Sequence, residues 1–79
     1  MKVNMFYFAQ ISEILGCNKE EISIRQDTSV KNLIDVLKER NPLLSKQSFQ
    51  VAVNQTLVKS DVKLNEGDEV ALLPPFAGG

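Results

Sequence analysis

Histidine is absent from the 79-residue sequence, and cysteine occurs once, as Cys17. Histidine is the side chain that most often acts as a base near neutral pH, so its absence excludes histidine-dependent triads and histidine metal ligands. A single cysteine cannot form an internal disulfide, and a lone thiol is typical of a reducing compartment. Because no histidine can deprotonate Cys17, we expect a structural or incidental role for this thiol in preference to nucleophilic catalysis.

The sequence also lacks an excess of charge of one sign and any long apolar run. Nine basic residues stand against ten acidic ones, for a net charge of −1, without the basic excess that binding to a phosphate backbone requires. No apolar run approaches the roughly 20 residues that span a bilayer, and the N-terminus lacks the charged-then-apolar order of a signal peptide. We therefore expect a soluble, cytoplasmic protein that binds neither nucleic acid nor membrane.

The length of the chain limits where chemistry can occur. A domain this small buries only roughly 60% of the surface that its unfolded chain exposes, which leaves little material to wall a deep cleft. Any chemistry should then lie on an edge or at an end. The tightest acidic group, Glu66, Asp68 and Glu69, surrounds Gly67 in a predicted turn without a second ligand cluster. We expect these charges to be solvated, and we expect no metal site.

Apolar residues near both ends of the chain predict two strands. In residues 2–8, Val3, Met5 and Tyr7 lie on one face of a predicted strand, and Phe6 and Phe8 make the second half of the other face apolar as well. Residues 70–73 are apolar without alternation, which predicts a strand covered on both faces. Two such strands would pair most economically in the middle of one sheet. Further strands are predicted around Ile22 and Ile24, through residues 49–53 and, briefly, at residues 56–58.

Helical spacing predicts two helices. Residues 9–16 form a short one, closed by Gly16 in a left-handed conformation. The main helix begins near Val30 after a capping Thr28 or Ser29, and Pro42 forbids its continuation. Its apolar stripe consists of Leu33, Ile34 and Leu37. These patterns predict an α+β fold of the β-grasp type, a mixed sheet with one main helix packed across it, although several strand orders satisfy the same burial.

The C-terminus differs from the rest of the chain. Pro74 and Pro75 cannot extend a sheet ladder, so we predict a domain of residues 1–73 and an extended, flexible tail of residues 74–79. Phe76 is a large apolar residue that a partner pocket could bury, although folding back onto the sheet is an equal alternative. The final residues Ala77, Gly78 and Gly79 are small enough to enter a narrow channel. The alternative for this ending is a frayed terminus.

Four stretches of the sequence together carry a family resemblance. They are the opening Val3–Gln10, with its Phe6, Phe8, Ala9 and Gln10, then Ala52-Val53-Asn54-Gln55, Gly67-Asp68-Glu69-Val70, and the closing Pro74-Pro75-Phe76-Ala77-Gly78-Gly79. The chain resembles the small subunit of molybdopterin synthase, the MoaD-type ubiquitin-like sulfur carriers, nearly from end to end. A terminal Gly-Gly alone would fit thiazole-type (ThiS-like) sulfur carriers or ubiquitin-like protein modifiers equally well. The Pro-Pro approach and the small-Gly-Gly end resemble the molybdopterin type.

The resemblance implies a role for the terminal carboxylate. An adenylating enzyme (MoeB-like) uses ATP to adenylate Gly79, and a sulfur donor converts the acyl-adenylate to a thiocarboxylate. The thiocarboxylate then sulfurates cyclic pyranopterin monophosphate in the active site of the large subunit (MoaE-like), within a heterotetramer, to form the molybdopterin dithiolene. The chain is then a subunit and a co-substrate that binds no cofactor directly, and the catalytic side chains are expected on the large subunit.

The resemblance also implies a partner surface. Phe76 would anchor the tail, with Pro75, Ala77 and Gly78 beside it in the partner's channel. Apolar strand positions that the main helix leaves uncovered would add to this surface. The candidates for those positions are Phe6, Phe8, Val70 and Leu72. Which face of each strand points outward is left open by the sequence.

Overall fold

Residues 1–75 are described by a computed structural model, and the predictions made for Phe76, Ala77, Gly78 and Gly79 fall outside this part of the chain. In chain order the elements are Lys2–Tyr7 (β1), Gln10–Leu15 (α1), Lys19–Ser23 (β2), Val30–Arg40 (α2), a 3₁₀ helix at Pro42–Lys46, Gln50–Val53 (β3), Thr56–Leu57 (β4) and Glu69–Leu73 (β5). Within residues 1–75, the strands form one five-stranded sheet in the order β2-β1-β5-β3-β4.

The strands at the two ends of the chain pair in the interior of this sheet. β1 runs parallel to β5, with Met5 opposite Val70 and Tyr7 opposite Leu72. β2 joins the other edge of β1, and β3 joins the other edge of β5, both antiparallel. The predicted pairing of the two apolar strands is therefore confirmed. The mixed sheet with one main helix confirms the β-grasp prediction.

The core lies between α2 and one face of the sheet. The stripe of α2 is buried against the alternating residues of the two central strands, namely Val3, Met5, Tyr7, Val70 and Leu72. Ser29 caps the helix, since its hydroxyl accepts from the Asn32 amide at 3.2 Å, and the Asn32 side chain reaches back to the Ser29 amide. Such a box satisfies amides at the helix start that otherwise lack partners. Of the two predicted caps, Ser29 is thus the one used.

Positive φ angles mark both ends of α1. Gly16 closes the helix at φ 79° in the predicted left-handed conformation, and its amide donates to Ser12 at 2.8 Å. Ala9 precedes the helix with φ 54° and ψ −130°, a combination that suits glycine and strains a residue with a Cβ atom. The short helix is thus confirmed, but it begins at Gln10 because Ala9 leaves the helical region.

The observed strands differ slightly from the predicted ones at their ends, and β2 and β3 show the cause. β2 stops at Ser23, which pairs with Lys2, the first residue of β1. Ile24 donates its amide to the Met1 carbonyl at 2.7 Å, its carbonyl accepts from the Met1 ammonium at 2.8 Å, and its side chain packs against the core. Phe49 also packs against the core but precedes β3, which begins at Gln50.

The prediction that β5 is covered on both faces is wrong. Val70 and Leu72 are fully buried under α2, whereas Ala71 and Leu73 on the other face are only half-buried. No element within residues 1–75 covers that second face. Val70 and Leu72 therefore cannot form a partner surface.

The acidic turn before β5 is also different from the prediction. Asp68 is only 8% exposed, and its carboxylate accepts from Asn54 Nδ2 at 3.0 Å and from the Asn65 amide at 2.8 Å. Glu66 accepts from the Lys2 amide at 2.9 Å. These carboxylates tie the turn to its neighbours, while Gly67 takes the positive φ of 82° that the turn requires.

Candidate functional site

The sheet face opposite α2 is apolar where it is expected to be polar. We define this outer face by Phe6, Phe8, Ala52, Leu57, Ala71 and Leu73. Phe8 is 46% exposed and Leu57 is 50% exposed, and no helix within residues 1–75 covers them. A sheet face that meets solvent normally carries polar residues, whereas a contiguous exposed apolar patch marks an interaction site. The outer face is therefore a candidate binding surface.

Strand register arranges four of these residues in one row across the sheet. Phe6 lies opposite Ala71, Ala71 lies opposite Ala52, and Ala52 lies opposite Leu57. The next row toward the start of β1 is polar, because Asn4 lies between Glu21 and Glu69. The apolar half of the outer face is thus the half nearer to the end of β5.

The chain leaves the sheet directly beside this apolar half. β5 ends at Leu73 opposite Gln50, and Pro74 and Pro75 follow it. A proline has no amide hydrogen to continue the ladder. The Gln50 side chain instead donates from Nε2 to the Pro75 carbonyl. This hydrogen bond holds the Pro75 carbonyl beside the start of β3.

A small cleft lies next to the tail exit. It has a volume of about 180 Å³ and lies between the start of α1, the segment Gln47–Ser48 and Pro74–Pro75. The strained Ala9 is part of its wall. Among residues 1–75, its lining includes no carboxylate, cation or thiol, so the cleft can bind by shape and by hydrogen bonds to its amides and to the Ser48 hydroxyl.

The titratable side chains with shifted pKa values lie in another cluster. Burial raises the pKa of the Cys17 thiol, and the Glu20 carboxylate adds to the rise while Arg40 opposes it. Burial also raises the pKa of Tyr7, whose hydroxyl donates to Glu20 Oε2 at 2.7 Å. A raised thiol pKa leaves little thiolate at neutral pH. This cluster ties β1 to β2 and to the end of α2, and nothing in it is arranged as a nucleophile.

Comparison with known proteins identifies the family. Residues 5–79 match the ThiS family, a region that begins within β1 and extends to the end of the chain. The chain belongs to the ThiS family.

Relatives of this ThiS-family chain share its full length. The molybdopterin synthase sulfur carrier subunit of Mycobacterium tuberculosis is 39% identical over 84 residues, which cover 100% of this chain and 99% of that protein. A putative molybdopterin converting factor, subunit 1, from Pyrococcus furiosus has a TM-score of 0.89 and 29% identity, covering 95% of this chain and 98% of that chain. The resemblance inferred from the sequence motifs is therefore confirmed.

A second similar structure was solved with a partner. In the protein–protein complex of subunits 1 and 2 of the molybdopterin-converting factor from Helicobacter pylori, the matching chain has a TM-score of 0.72 and 26% identity, with 100% coverage of both chains. That relative thus assembles with a second subunit. Across residues 1–75 of the ThiS-family chain, the helices are too short and too polar to span a bilayer.

The predicted partner residues divide into four groups. Phe8 is exposed and Phe6 half-buried on the outer face, and Pro75 is exposed at the tail exit. Val70 and Leu72 are buried in the core. The last predicted residues, Phe76, Ala77, Gly78 and Gly79, lie outside the described residues.

Two features of the candidate site had no signal in the sequence. Leu57 completes the apolar row, and Gln50 holds the tail exit. Gln50 occupies the polar position of an alternating strand, so periodicity gave no sign that it meets Pro75. Leu57 follows the Asn54-Gln55 turn, and its place beside Ala52 required the hairpin register.

Proposed function

We propose that this chain is the sulfur carrier subunit of a molybdopterin synthase and that the Gly79 carboxylate carries the sulfur. The observation that carries the proposal is that the chain leaves the sheet beside an uncovered apolar face. A partner that covers this face would receive the tail in the same binding event. The full-length similarity to a molybdopterin synthase sulfur carrier subunit supports the assignment.

The proposed chemistry uses the terminal carboxylate because a free carboxylate is a poor electrophile. Attack of a Gly79 oxygen on the α-phosphorus of ATP releases pyrophosphate and leaves an acyl-adenylate, whose AMP is a good leaving group. A sulfide-level sulfur donor then attacks the carbonyl carbon and expels AMP, which yields the thiocarboxylate. The adenylating enzyme supplies the catalytic groups for this step. Because the activation consumes ATP, we place the protein in the cytoplasm.

The proposed acceptor site lies on the second synthase subunit, within a heterotetramer. There the thiocarboxylate sulfur attacks cyclic pyranopterin monophosphate and forms a C–S bond, and water then cleaves the acyl–sulfur bond, which returns the Gly79 carboxylate and leaves the sulfur for the dithiolene. The outer face, with Phe6 and Phe8, would bind this subunit, and Phe76 would anchor the tail. The Helicobacter pylori complex of subunits 1 and 2 supports a partner of this kind.

A thiazole-type sulfur carrier is the second candidate function. The name of the ThiS family is consistent with a thiazole-type carrier, and such a carrier would use the same activation of Gly79. The curated relative from Mycobacterium tuberculosis favours the molybdopterin assignment. Copurification separates the two functions, since recovery of a molybdopterin synthase large subunit supports our proposal and recovery of a thiazole synthase contradicts it. A ladder of conjugates of higher mass in extracts would instead indicate a protein modifier.

The decisive experiment extends the chain. One residue added after Gly79 puts a peptide bond where the reacting carboxylate should be, and displacement of a reacting group by about 1 Å can already cost on the order of a hundredfold in rate. We expect no ATP–pyrophosphate exchange with the adenylating enzyme and no thiocarboxylate by intact-mass measurement. Thermal unfolding should be unchanged, because the sheet ends at Leu73.

The matched control is an extension that a protease can remove. Cleavage that restores Gly79 as the terminus should restore exchange and the mass gain of sulfur for oxygen. The milder Gly79→Ala variant should slow exchange without abolishing it. An extended, untrimmed chain that still supports molybdopterin formation would contradict the assignment of the sulfur to Gly79.

A further inference from the structure

A depression on the outer face has an apolar floor and a polar rim. Its volume is about 250 Å³, and it is lined by Phe6, Phe8, Gln55, Glu69 and Ala71. The floor arises from register, because the small Ala71 lies on β5 between Phe6 of β1 and Ala52 of β3. A methyl group beside phenyl rings leaves a hollow in an otherwise continuous surface. We call this depression the socket.

Glu69 supplies a negative charge to the rim of the socket. Its side chain is exposed, and within residues 1–75 its carboxylate makes no hydrogen bond or ion pair. The neighbouring acid on the same polar row, Glu21, is instead paired with Lys2 at 3.5 Å. A carboxylate beside an apolar floor is stable while solvent reaches it, but it becomes costly once a partner covers the floor without supplying a cation.

Gln55 forms the opposite part of the rim and is held in a strained conformation. Asn54 and Gln55 have φ angles of 51° and 71°, the type I′ turn of a tight hairpin, in which glycine would be favoured at the second position. The Asn54 side chain makes two hydrogen bonds. Its Nδ2 donates to Asp68 Oδ1 at 3.0 Å, and its Oδ1 accepts from the Glu69 amide at 3.0 Å. The Asn54 side chain thus ties the turn to the backbone of Glu69, so the backbones of both rim residues are held in place.

We propose that the socket binds an arginine side chain of the second synthase subunit. The inference rests on the proposed function and adds to it the chemistry of the contact. The guanidinium group is planar, so its faces can stack on the phenyl rings of Phe6 and Phe8 while its edge donates to Glu69 and to the Gln55 carbonyl. A lysine ammonium is a compact, strongly hydrated charge without a planar face, and an apolar side chain would leave Glu69 buried and unpaired.

The test compares two variants with the same change of charge. Glu69→Gln removes the charge from the socket, and Glu39→Gln removes one from the exposed side of α2, on the other side of the molecule. Each is titrated calorimetrically with the second synthase subunit. We expect Glu69→Gln to weaken binding at least about tenfold and to reduce its salt dependence, while Glu39→Gln binds like the wild type. Wild-type affinity for Glu69→Gln would overturn the proposal.

A charge-swap series identifies the occupant. In the background of Glu69→Arg, each surface arginine and lysine of the second subunit is changed to glutamate, one at a time. We expect one arginine-to-glutamate change in the second subunit to raise its affinity for Glu69→Arg at least about tenfold over that of the unchanged second subunit. Rescue by a lysine change, or by none, would overturn the arginine assignment. Unfolding measurements on Glu69→Arg control for folding, which should be intact because Glu69 is exposed.

The proposed function and the socket proposal can be refuted independently. If the wild-type chain does not bind the second synthase subunit, the proposed function fails. If the wild-type chain binds and the variants of Glu69 bind equally well, only the socket proposal fails.

Discussion

The two faces of the sheet are both apolar, yet they differ in what covers them. On the inner face, Val3 and Met5 are fully buried beneath α2. On the outer face, Phe6 of the same strand is half-buried, and Phe8, which directly follows β1, is 46% exposed. Apolar side chains that a domain does not bury itself contribute little to its stability and remain available to a partner. One face therefore holds the fold together, and the other is kept for binding.

Replacing one leucine on each face by alanine should show the largest difference between the stabilising inner face and the outer face. Leu72→Ala removes a fully buried side chain and should lower the free energy of unfolding by about 3 kcal/mol, through lost burial and the cavity left behind. Leu73→Ala, on the half-buried outer face, should lower it by less than about 1 kcal/mol. Denaturant unfolding measures both. Equal losses would show that the outer face is also part of the stabilising core.

Truncation of Phe8 sharpens the same comparison from the binding side. Phe8→Ala should weaken binding to the second synthase subunit by roughly 2 kcal/mol, because an aromatic ring that a partner buries commonly carries this much binding energy. Its unfolding free energy should change little. The control is Leu43→Ala, which truncates a side chain 57% exposed on the 3₁₀ helix and should leave affinity unchanged. Equal affinities for the two variants would argue against the outer face as the interface.

Removal of the Gln50 amide tests the edge at which the outer face meets the tail. Gln50→Ala deletes the hydrogen bond to the Pro75 carbonyl and should reduce kcat/KM for ATP–pyrophosphate exchange about fivefold, the equivalent of about 1 kcal/mol. Gln26→Ala, in the exposed segment after β2, serves as the control. Unchanged kinetics for Gln50→Ala would show that the tail is directed by the partner alone.

The inner face has a pH-dependent test of its own. Burial and the Glu20 carboxylate raise the pKa of Tyr7 above its ordinary value near 10, so the folded state retains a proton that the unfolded chain loses. Stability from this group is therefore complete below about pH 10 and falls as the pH rises further. Because Tyr7 is the single tyrosine, phenolate absorbance reports on it directly. Tyr7→Phe should flatten the decline above about pH 10, and an unchanged slope would contradict the linkage.

Local patterns predicted the parts of the fold that depend on neighbouring residues. Spacing and capping placed α2 after Ser29, and Gly16 closed α1 as expected. The pairing of the end strands followed from their shared apolar character. The candidate site was predicted only where a residue type is restrictive in itself, as with Pro75, which stops the ladder, and Phe8, which is apolar near a strand end.

The remaining features depended on contacts between residues distant in sequence. Asp68 was predicted to be solvated because it lies in a turn, but Asn54 and Asn65 surround its carboxylate. Phe49 continued an alternating pattern, but β5 has no residue with which it could pair. No local property of Gln50 indicated that it would meet Pro75.

The amino-acid sequence is enough to show which residues alternate, where helices begin and where the final strand must stop, because these follow from period, capping and the missing amide of proline. Contacts between distant elements are needed to show which of the two apolar sheet faces is covered. The fold has one main helix and two apolar sheet faces, so only one face can be covered. The covered face is the one that carries Met5 and Leu72, because α2 packs on it. The hollow at Ala71 was likewise decided by strand register, which sets a methyl group beside the ring of Phe6.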